Sequence, residues 1–262
     1  MTSNVTTITS RDNALLVKVR KLAQDATAYR KLGEFWLEGD NLCSACLSRG
    51  VSPSHCVITE DAWSQPAWRA WAERAAKVSV VSAGLFKSIS GLESPAQMGF
   101  VVEWSPQANV QAGMRTVVLD RLQDAGNVGT ILRSASAMGV QQVVALKGTA
   151  ALWSPKVLRA AMGAHFGLHL VESAEVSVLN DLGVPLLATS SHTSSNVMSV
   201  ELPDPCAWVM GHEGQGVEQA LLDRCGLLLS IPQPGGEESL NVAAAASICL
   251  YESMRQRLTK PV

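Results

Sequence analysis

Five polar residues stand in three short stretches whose grammar could place them around a ligand. Asn127 and Arg133 belong to N-V-G-T-I-L-R (127–133), Glu213 to G-H-E-G-Q-G (211–216), and Ser239 and Asn241 to I-P-Q-P-G-G-E-E-S-L-N-V (231–242). In the last stretch an apolar run (227–231) meets two prolines and two glycines, which forbid regular structure. Ser239 and Asn241 then precede an alanine-rich helix from about Val242 to Leu258, and both are good N-caps because their side-chain oxygens accept from unpaired first-turn amides. Glu237 and Glu238 sit where the positive end of the helix dipole favours them. Local residues alone also fit an ordinary strand-to-helix turn. In G-H-E-G-Q-G the glycines would let a ligand approach backbone amides. The G-x-x-G-x-G spacing is not the dinucleotide fingerprint, however, and taken alone is weak evidence for a nucleotide. Asn127 reads as the N-cap of a helix whose buried stripe is Val128, Ile131, Leu132, Ala135 and Met138. Arg133 falls on its open face, where a surface ion pair would also account for it.

Alternating strands and helices must position these loops. In the second half, segments 116–120, 142–146, 168–171, 185–189, 208–210 and 227–231 read as short apolar strands. Helical patterns alternate with them at 127–138, 155–162 (carrying Arg159), 174–182 and 217–223. Such alternation predicts a parallel sheet covered on both faces, which binds ligands at the carboxyl ends of its strands. The first half is a smaller α/β pattern. Leu15, Leu16, Val19 and Leu22 mark an amphipathic helix beside a basic set of Arg11, Lys18, Arg20, Lys21, Arg30 and Lys31, which is either solvated surface or a phosphate contact. Strands follow after Gly33 at F-W-L-E-G-D (35–40), and at 56–58, 78–81 and 99–103. A helix bearing Trp63, Trp68 and Trp71 lies among them; these rings could stack on bases, but their near-helical spacing predicts at least one in the core. The polar stretch S-P-Q-A-N-V-Q-A-G-M (105–114) reads as a linker. The expected organisation is residues 1–105, a linker at 106–114, and residues 115–262.

Composition bounds the rest. Of 262 residues, 47% are hydrophobic and 17% charged, which indicates a well-packed globular chain. A formal net charge of −2 gives no global attraction to nucleic acid, so any RNA surface must be local. No apolar run reaches the roughly 18 residues of a membrane span, and the polar N-terminus does not resemble a signal peptide; a cytoplasmic protein without a membrane partner is expected. Cys43 and Cys46 form one C-x-x-C near Cys56, but no second pair exists, so buried free thiols and no metal are expected.

The three polar stretches, in this order and spacing, resemble the motifs of the SpoU (TrmH-type) family of RNA ribose 2′-O-methyltransferases, within the SPOUT superfamily. The resemblance covers essentially the whole second half. The N-terminal helix, Tyr29-Arg30 and F-W-L-E-G resemble the small substrate-binding domain of the rRNA-modifying branch. The resemblance implies an α/β architecture with an N-terminal RNA substrate-binding domain and a C-terminal parallel-sheet domain tied in a deep trefoil knot, otherwise almost absent from proteins. It implies an S-adenosylmethionine pocket whose contacts carry over to Thr189, Gly211, Ile231 and Leu240, and a homodimer in which each active site is completed by the partner.

The implied reaction is attack of a ribose 2′-hydroxyl on a sulfonium methyl, for which the protein must align the two and assist a developing alkoxide. The family assigns this task to the arginine matching Arg133, as general base or as a cation that stabilises the alkoxide and holds a phosphate. Asn127 would orient Arg133 or the ribose, Glu213 would fix a neighbouring loop or Arg133, and Ser239 and Asn241 would hold the cofactor loop and the substrate. Arg30 and Arg159 are the expected RNA contacts. The chain departs from the family pattern at Ala125, where proline is usual, at Gln233, where methionine is usual, and at Ala243, where serine is frequent. The implied substrate is rRNA. A tRNA methyltransferase is the nearest alternative, against which the α/β first half argues. A non-catalytic RNA-binding or ribosome-assembly factor is another, against which the intact set of five polar residues argues.

Overall fold

The structure, a computed structural model, describes residues 5–106, 109–190, 193–235 and 240–259. It divides into two compact units, residues 1–105 with 153–166, and residues 106–152 with 167–262.

The first unit contains β1 (Val5–Ile8), α1 (Ala14–Gln24), α2 (Ala28–Leu32), β2 (Glu34–Glu38), α3 (Asp40–Ser48), β3 (His55–Thr59), α4 (Glu60–Ser64), α5 (Pro66–Ala72), β4 (Val78–Val81), α6 (Ala83–Ile89) and β5 (Met98–Glu103). Its five-stranded sheet runs β1-β4-β3-β5-β2, with β5 antiparallel to both neighbours. In α1, Leu16, Val19 and Leu22 are buried, and Asn13 caps the helix by accepting from Leu15 N. Lys18 pairs with Glu34 at 2.5 Å, Arg20 donates to Ser88 O at 3.0 Å, and Arg30 Nε donates to Tyr29 Oη at 3.0 Å, so these members of the basic set are engaged within the unit.

The second unit contains β6 (Thr116–Leu119), α7 (Ala125–Ala137) and β7 (Gln142–Leu146); α8 (Pro155–Ala161) then follows in the chain but clusters with the first unit. After it come β8 (His169–Ala174), β9 (Leu186–Thr189), β10 (Ala207–Met210), α9 (Gln219–Leu222), β11 (Leu227–Leu229) and α10 (Val242–Thr259). The six strands are all parallel, in the order β11-β9-β10-β6-β7-β8. Near-continuous apolar runs such as T-V-V-L and A-W-V-M are buried along their length, as a sheet covered on both faces requires.

Several expectations are corrected. The polar-looking V-T-T-I segment forms β1, an edge strand paired only with β4, which tolerates exposed threonines. The helix expected at 174–182 is a 3₁₀ segment, Val176–Asp181, because β8 runs on to Ala174. The helix expected at 217–223 shortens to Gln219–Leu222. None of Trp63, Trp68 and Trp71 is in the core; all three are half-buried. The chain breaks at Gln65-Pro66 into two short helices, so the three rings do not share one inward stripe.

Candidate functional site

Three parallel neighbours, β11, β9 and β10, end side by side, so the loops that follow them share one edge of the sheet. Thr189 closes β9 and pairs in register with Leu229 of β11; Gly211 follows β10 directly; Ile231 lies two residues beyond β11. Leu240, partly exposed, precedes the cap of α10. The four positions expected to meet a cofactor thus lie on loops of this edge or at the entry to the last helix. Ser239, with Glu237 and Glu238, lies outside the described residues.

Helix α7 begins earlier than expected. Asp124 is its N-cap, accepting from Asn127 N at 2.7 Å, because a carboxylate at this position meets the free first-turn amide. Asn127 is therefore inside the first turn and does not cap, which leaves its side chain for other partners. Asn241 does cap α10: its Oδ1 accepts from Ala243 N at 2.9 Å and Ala244 N at 3.2 Å. That use of the oxygen turns its amide nitrogen outward, and Nδ2 donates to Asn127 Oδ1 at 3.0 Å. Asn127 Nδ2 in turn donates to Glu213 Oε1 at 3.3 Å. One polar chain, Asn241 to Asn127 to Glu213, thus joins all three stretches, and each amide's orientation is dictated by its neighbours.

Glu213 ends the chain as an acceptor. It also receives Asp124 N at 3.1 Å and Gln123 N at 3.3 Å. Partial burial works against its charge, but hydrogen bonds from its own amide, Asn127, Asp124 and Gln123 outweigh that and hold its carboxyl below the ordinary value. Its contacts are with the neighbouring loop and not with Arg133.

Loop 211–216 is rigid by construction. His212 and Gly216 exchange backbone hydrogen bonds of 3.0 and 2.8 Å, and His212 Nδ1 accepts from Gly214 N and Gln215 N, which places its ring proton on Nε2. Gly211 is buried, and a Cβ there would lie 2.2 Å from Val217 N, so the loop closes only over a glycine. Beneath it Asp120, buried at the end of β6, accepts Glu218 N at 2.8 Å and holds Arg121 through two hydrogen bonds of 2.9 and 3.1 Å. Donation to the Asp120 carboxylate raises the Arg121 pKa against a small desolvation cost. Arg121 sits at φ 57°, a left-handed conformation uncommon for arginine. Sequence reasoning missed Asp120, Arg121 and Asp124; the signal was a carboxylate ending the apolar run T-V-V-L-D.

Arg133 is exposed on α7, six residues beyond Asn127, a rise of about 9 Å. It has no hydrogen bond or ion pair among the described residues and stays outside the polar chain. Arg30 and Arg159 belong to the first unit. Arg30 is exposed, with its guanidinium over the Tyr29 ring at 5.4 Å; Arg159, on α8, is half-buried.

All six cysteines are free, and burial pushes the Cys46 thiol up to about 12 and raises Cys43 and Cys56 as well. Among the described residues no group of three or more His, Cys, Asp or Glu could hold a metal ion, and no helix is long and apolar enough to cross a membrane.

A sequence model of the family described as SpoU rRNA Methylase family matches residues 114–251. The 23S rRNA (guanosine(2553)-2′-O)-methyltransferase RlmP of Bacillus subtilis (strain 168) is 31% identical over 225 residues, covering 84% of this chain and 88% of its own length. An uncharacterized tRNA/rRNA methyltransferase of Synechocystis sp. is 32% identical, covering 98% of this chain and 96% of its own length. The crystal structure of an AdoMet-bound rRNA methyltransferase from Sinorhizobium meliloti superposes with a TM-score of 0.84 at 27% identity, covering 98% of this chain and all of that one.

Proposed function

The chain belongs to the SpoU rRNA methylase family, and on that premise we propose that it is an S-adenosylmethionine-dependent RNA ribose 2′-O-methyltransferase acting on large-subunit rRNA in the cytoplasm. The observation that carries this reading is the hydrogen-bonded chain Asn241–Asn127–Glu213, which ties the three family motifs together at the strand ends where a parallel sheet binds its ligand. The 23S rRNA named for the Bacillus relative supplies the substrate class.

The residues present fit the cofactor. Pro232 and Pro234 have no N–H, so the loop after β11 is rich in acceptors. Within it Gln233 Oε1 is buried without a hydrogen-bond partner among the described residues. A buried acceptor left unpaired is costly, and a donor on a bound ligand would relieve it. Thr189, Gly211, Ile231 and Leu240 would hold the cofactor, which supplies a methyl group on a sulfonium. The family's trefoil knot belongs to this reading, supported by the adjacent strand ends and by an α10 that starts beside Asn127.

Arg133 carries the catalytic role. Its guanidinium is exposed and unengaged among the described residues, so it is available to the 2′-oxygen and an adjoining phosphate. A guanidinium does not give up its proton readily, so its contribution is charge stabilisation of the alkoxide. Glu213 is a positioning residue. An acceptor of several hydrogen bonds with a lowered pKa is a poor base at neutral pH, and its function is to hold Asn127 and the loop at 123–124. Asn241 and Ser239 would hold the cofactor loop.

A homodimer is part of the proposal. Helix α10 is apolar on its inner face, with Ala246, Cys249 and Leu250 buried. It also exposes Ile248 (39%), Tyr251 (54%) and Leu258 (72%) at spacings of three and seven residues, one outward stripe. A helix apolar on both sides fits a second protein surface. Arg30 and Arg159, both in the first unit, would meet RNA phosphates.

The deciding experiment is transfer of labelled methyl from S-adenosylmethionine to rRNA from cells lacking the protein. Label at one alkali-resistant nucleotide of large-subunit rRNA is expected. Cofactor binding without label in any RNA or ribosomal particle would leave a non-catalytic RNA-binding factor.

A further inference from the structure

One half-buried tryptophan of the first unit, Trp71, borders a cavity that the catalytic reading does not use. Between α3 and α5 lies an open cavity of about 420 Å³ lined by Ser44, Leu47, Ser48, Ala70, Trp71 and Arg74. Its size falls in the range of about 300–1,000 Å³ typical of small-ligand sites. The lining combines an indole, two apolar side chains, two hydroxyls and one cation, and no carboxylate is among it. The Ser44 hydroxyl and the Arg74 guanidinium have no hydrogen-bond or ion-pair partner among the described residues. Ser48 Oγ donates to Ala45 O at 3.0 Å and keeps its lone pairs.

The aromatic surface continues beyond the cavity. Trp68 meets Trp71 edge-on with ring centroids 6.1 Å apart, and the Arg69 guanidinium lies 4.6 Å over the Trp63 ring, held there by a 3.2 Å hydrogen bond from its Nε to Trp63 O. Exposed Glu60 and Asp61 lie on α4 and exposed Glu73 caps the end of α5, so the face is not uniformly basic. Its positive charge is local, at Arg74 beside Trp71 and at Arg69 on Trp63.

We propose that this cavity takes one unstacked nucleotide of the RNA substrate, with its base against the Trp71 indole, its phosphate on Arg74 and its base edge within reach of Ser44. The pairing of a flat indole with an unpaired cation is the chemistry by which single-stranded RNA is held, because every base has a face to stack and every nucleotide a phosphate. An apolar peptide would take water from the exposed Arg74 guanidinium without offering it an acceptor. The assignment rests on the RNA methyltransferase reading and extends it: a substrate contact set on the first unit would act on RNA affinity and leave the chemical step alone.

The test uses the full-length chain with large-subunit rRNA as methyl acceptor and a fluorescein-labelled single-stranded RNA decamer as binding probe. Trp71→Ala and Arg74→Ala should each weaken decamer binding and raise KM for rRNA by about tenfold, with kcat at saturating rRNA and S-adenosylmethionine affinity unchanged. Trp71→Phe keeps an aromatic face and should retain most of the affinity. Arg74→Ala should also flatten the dependence of log affinity on log salt by about 0.7, the loss of one single-strand phosphate contact. RNA affinity unchanged in both alanine variants, with cofactor binding showing them folded, overturns the proposal, as does equal weakening in Trp71→Phe and Trp71→Ala. A wild-type chain that neither binds RNA nor transfers methyl would instead overturn the enzyme reading.

Discussion

The polar groups at the strand ends and those at the α3–α5 cavity are satisfied in opposite ways. Along Asn241, Asn127 and Glu213, donors and acceptors are matched within the protein. At the cavity, Arg74 and Ser44 are unmatched among the described residues. A saturated cluster cannot change partners cheaply, so it suits holding loops in register. One whose partners are water can exchange them for a ligand without breaking protein contacts. The second unit repeats the contrast within itself. Arg121 is locked by buried Asp120, whereas Arg133 stands exposed and unengaged among the described residues. Charge is therefore fixed where it shapes a loop and free where it can meet substrate.

The largest expected effect lies on the free side. Arg133→Ala should lower kcat by about 10²–10³-fold, the scale for removing one donor to a developing oxyanion, with cofactor affinity preserved. Single-turnover methyl transfer beside cofactor titration separates the two, and an active Arg133→Ala enzyme would remove this residue from the chemistry. Arg133→Lys keeps the charge but not the planar fork, and should recover only part of the rate.

Next comes a break in the fixed side. In Gly211→Ala the added carbon would meet backbone atoms of Gly216 and Val217 at 2.2–2.3 Å, and backbone cannot swing away as a side chain can. The 211–216 loop should lose its closure, with cofactor affinity falling at least tenfold by isothermal titration and a lowered Tm. Near-wild-type affinity would show that the loop tolerates displacement.

Glu213→Gln sharpens the comparison more finely. The substitution keeps shape but turns one oxygen into a donor, and every partner of Glu213 along the polar chain is already a donor. One N–H would then face another, so Tm should fall by about 2–4 °C, the shift for roughly 1 kcal/mol in a chain of this size, and transfer by about tenfold. The pH dependence has a definite sign. The folded-state pKa of Glu213 lies below its ordinary 4.5, so its stabilisation is fully present above pH 4.5 and is lost as pH falls through the lowered folded value. The Tm gap between wild type and Glu213→Gln should be constant at neutral pH and close in acid. A gap that widens in acid would contradict the assignment.

Much of this was legible in the sequence, for physical reasons that also mark where legibility ends. Parallel strands buried on both faces must be short continuous apolar runs, so 116–119, 142–146 and 207–210 announce themselves, as does the Leu16–Val19–Leu22 stripe of α1. An edge strand needs no such run, and β1 was invisible. Capping residues are ambiguous where two good caps lie within one turn: Asp124 took the role expected of Asn127, and only the fold shows that Asn127 then reaches Glu213. The exposure of the tryptophans turned on one break at Gln65-Pro66. The membership of 153–166 in the first unit depends on contacts such as Phe35 with Trp153, ring centroids 4.6 Å apart, between residues over a hundred positions apart. No local pattern encodes such a contact.

The smallest expected effect concerns Gln233, an acceptor in the loop after β11 left unsatisfied among the described residues. It stands where the family pattern has a methionine, and Oε1 is buried without a partner among the described residues. If a donor on S-adenosylmethionine meets that oxygen, Gln233→Met removes one neutral hydrogen bond but also relieves an unpaired group in the free protein. The two changes act together on binding, because the free state becomes better and the bound state worse. Cofactor affinity should fall by about three- to tenfold, the range for one neutral hydrogen bond, while the Tm of the cofactor-free protein stays level or rises. Titration calorimetry and thermal unfolding on the same samples read both. Unchanged affinity with a raised Tm would make Gln233 a structural defect with no part in recognition.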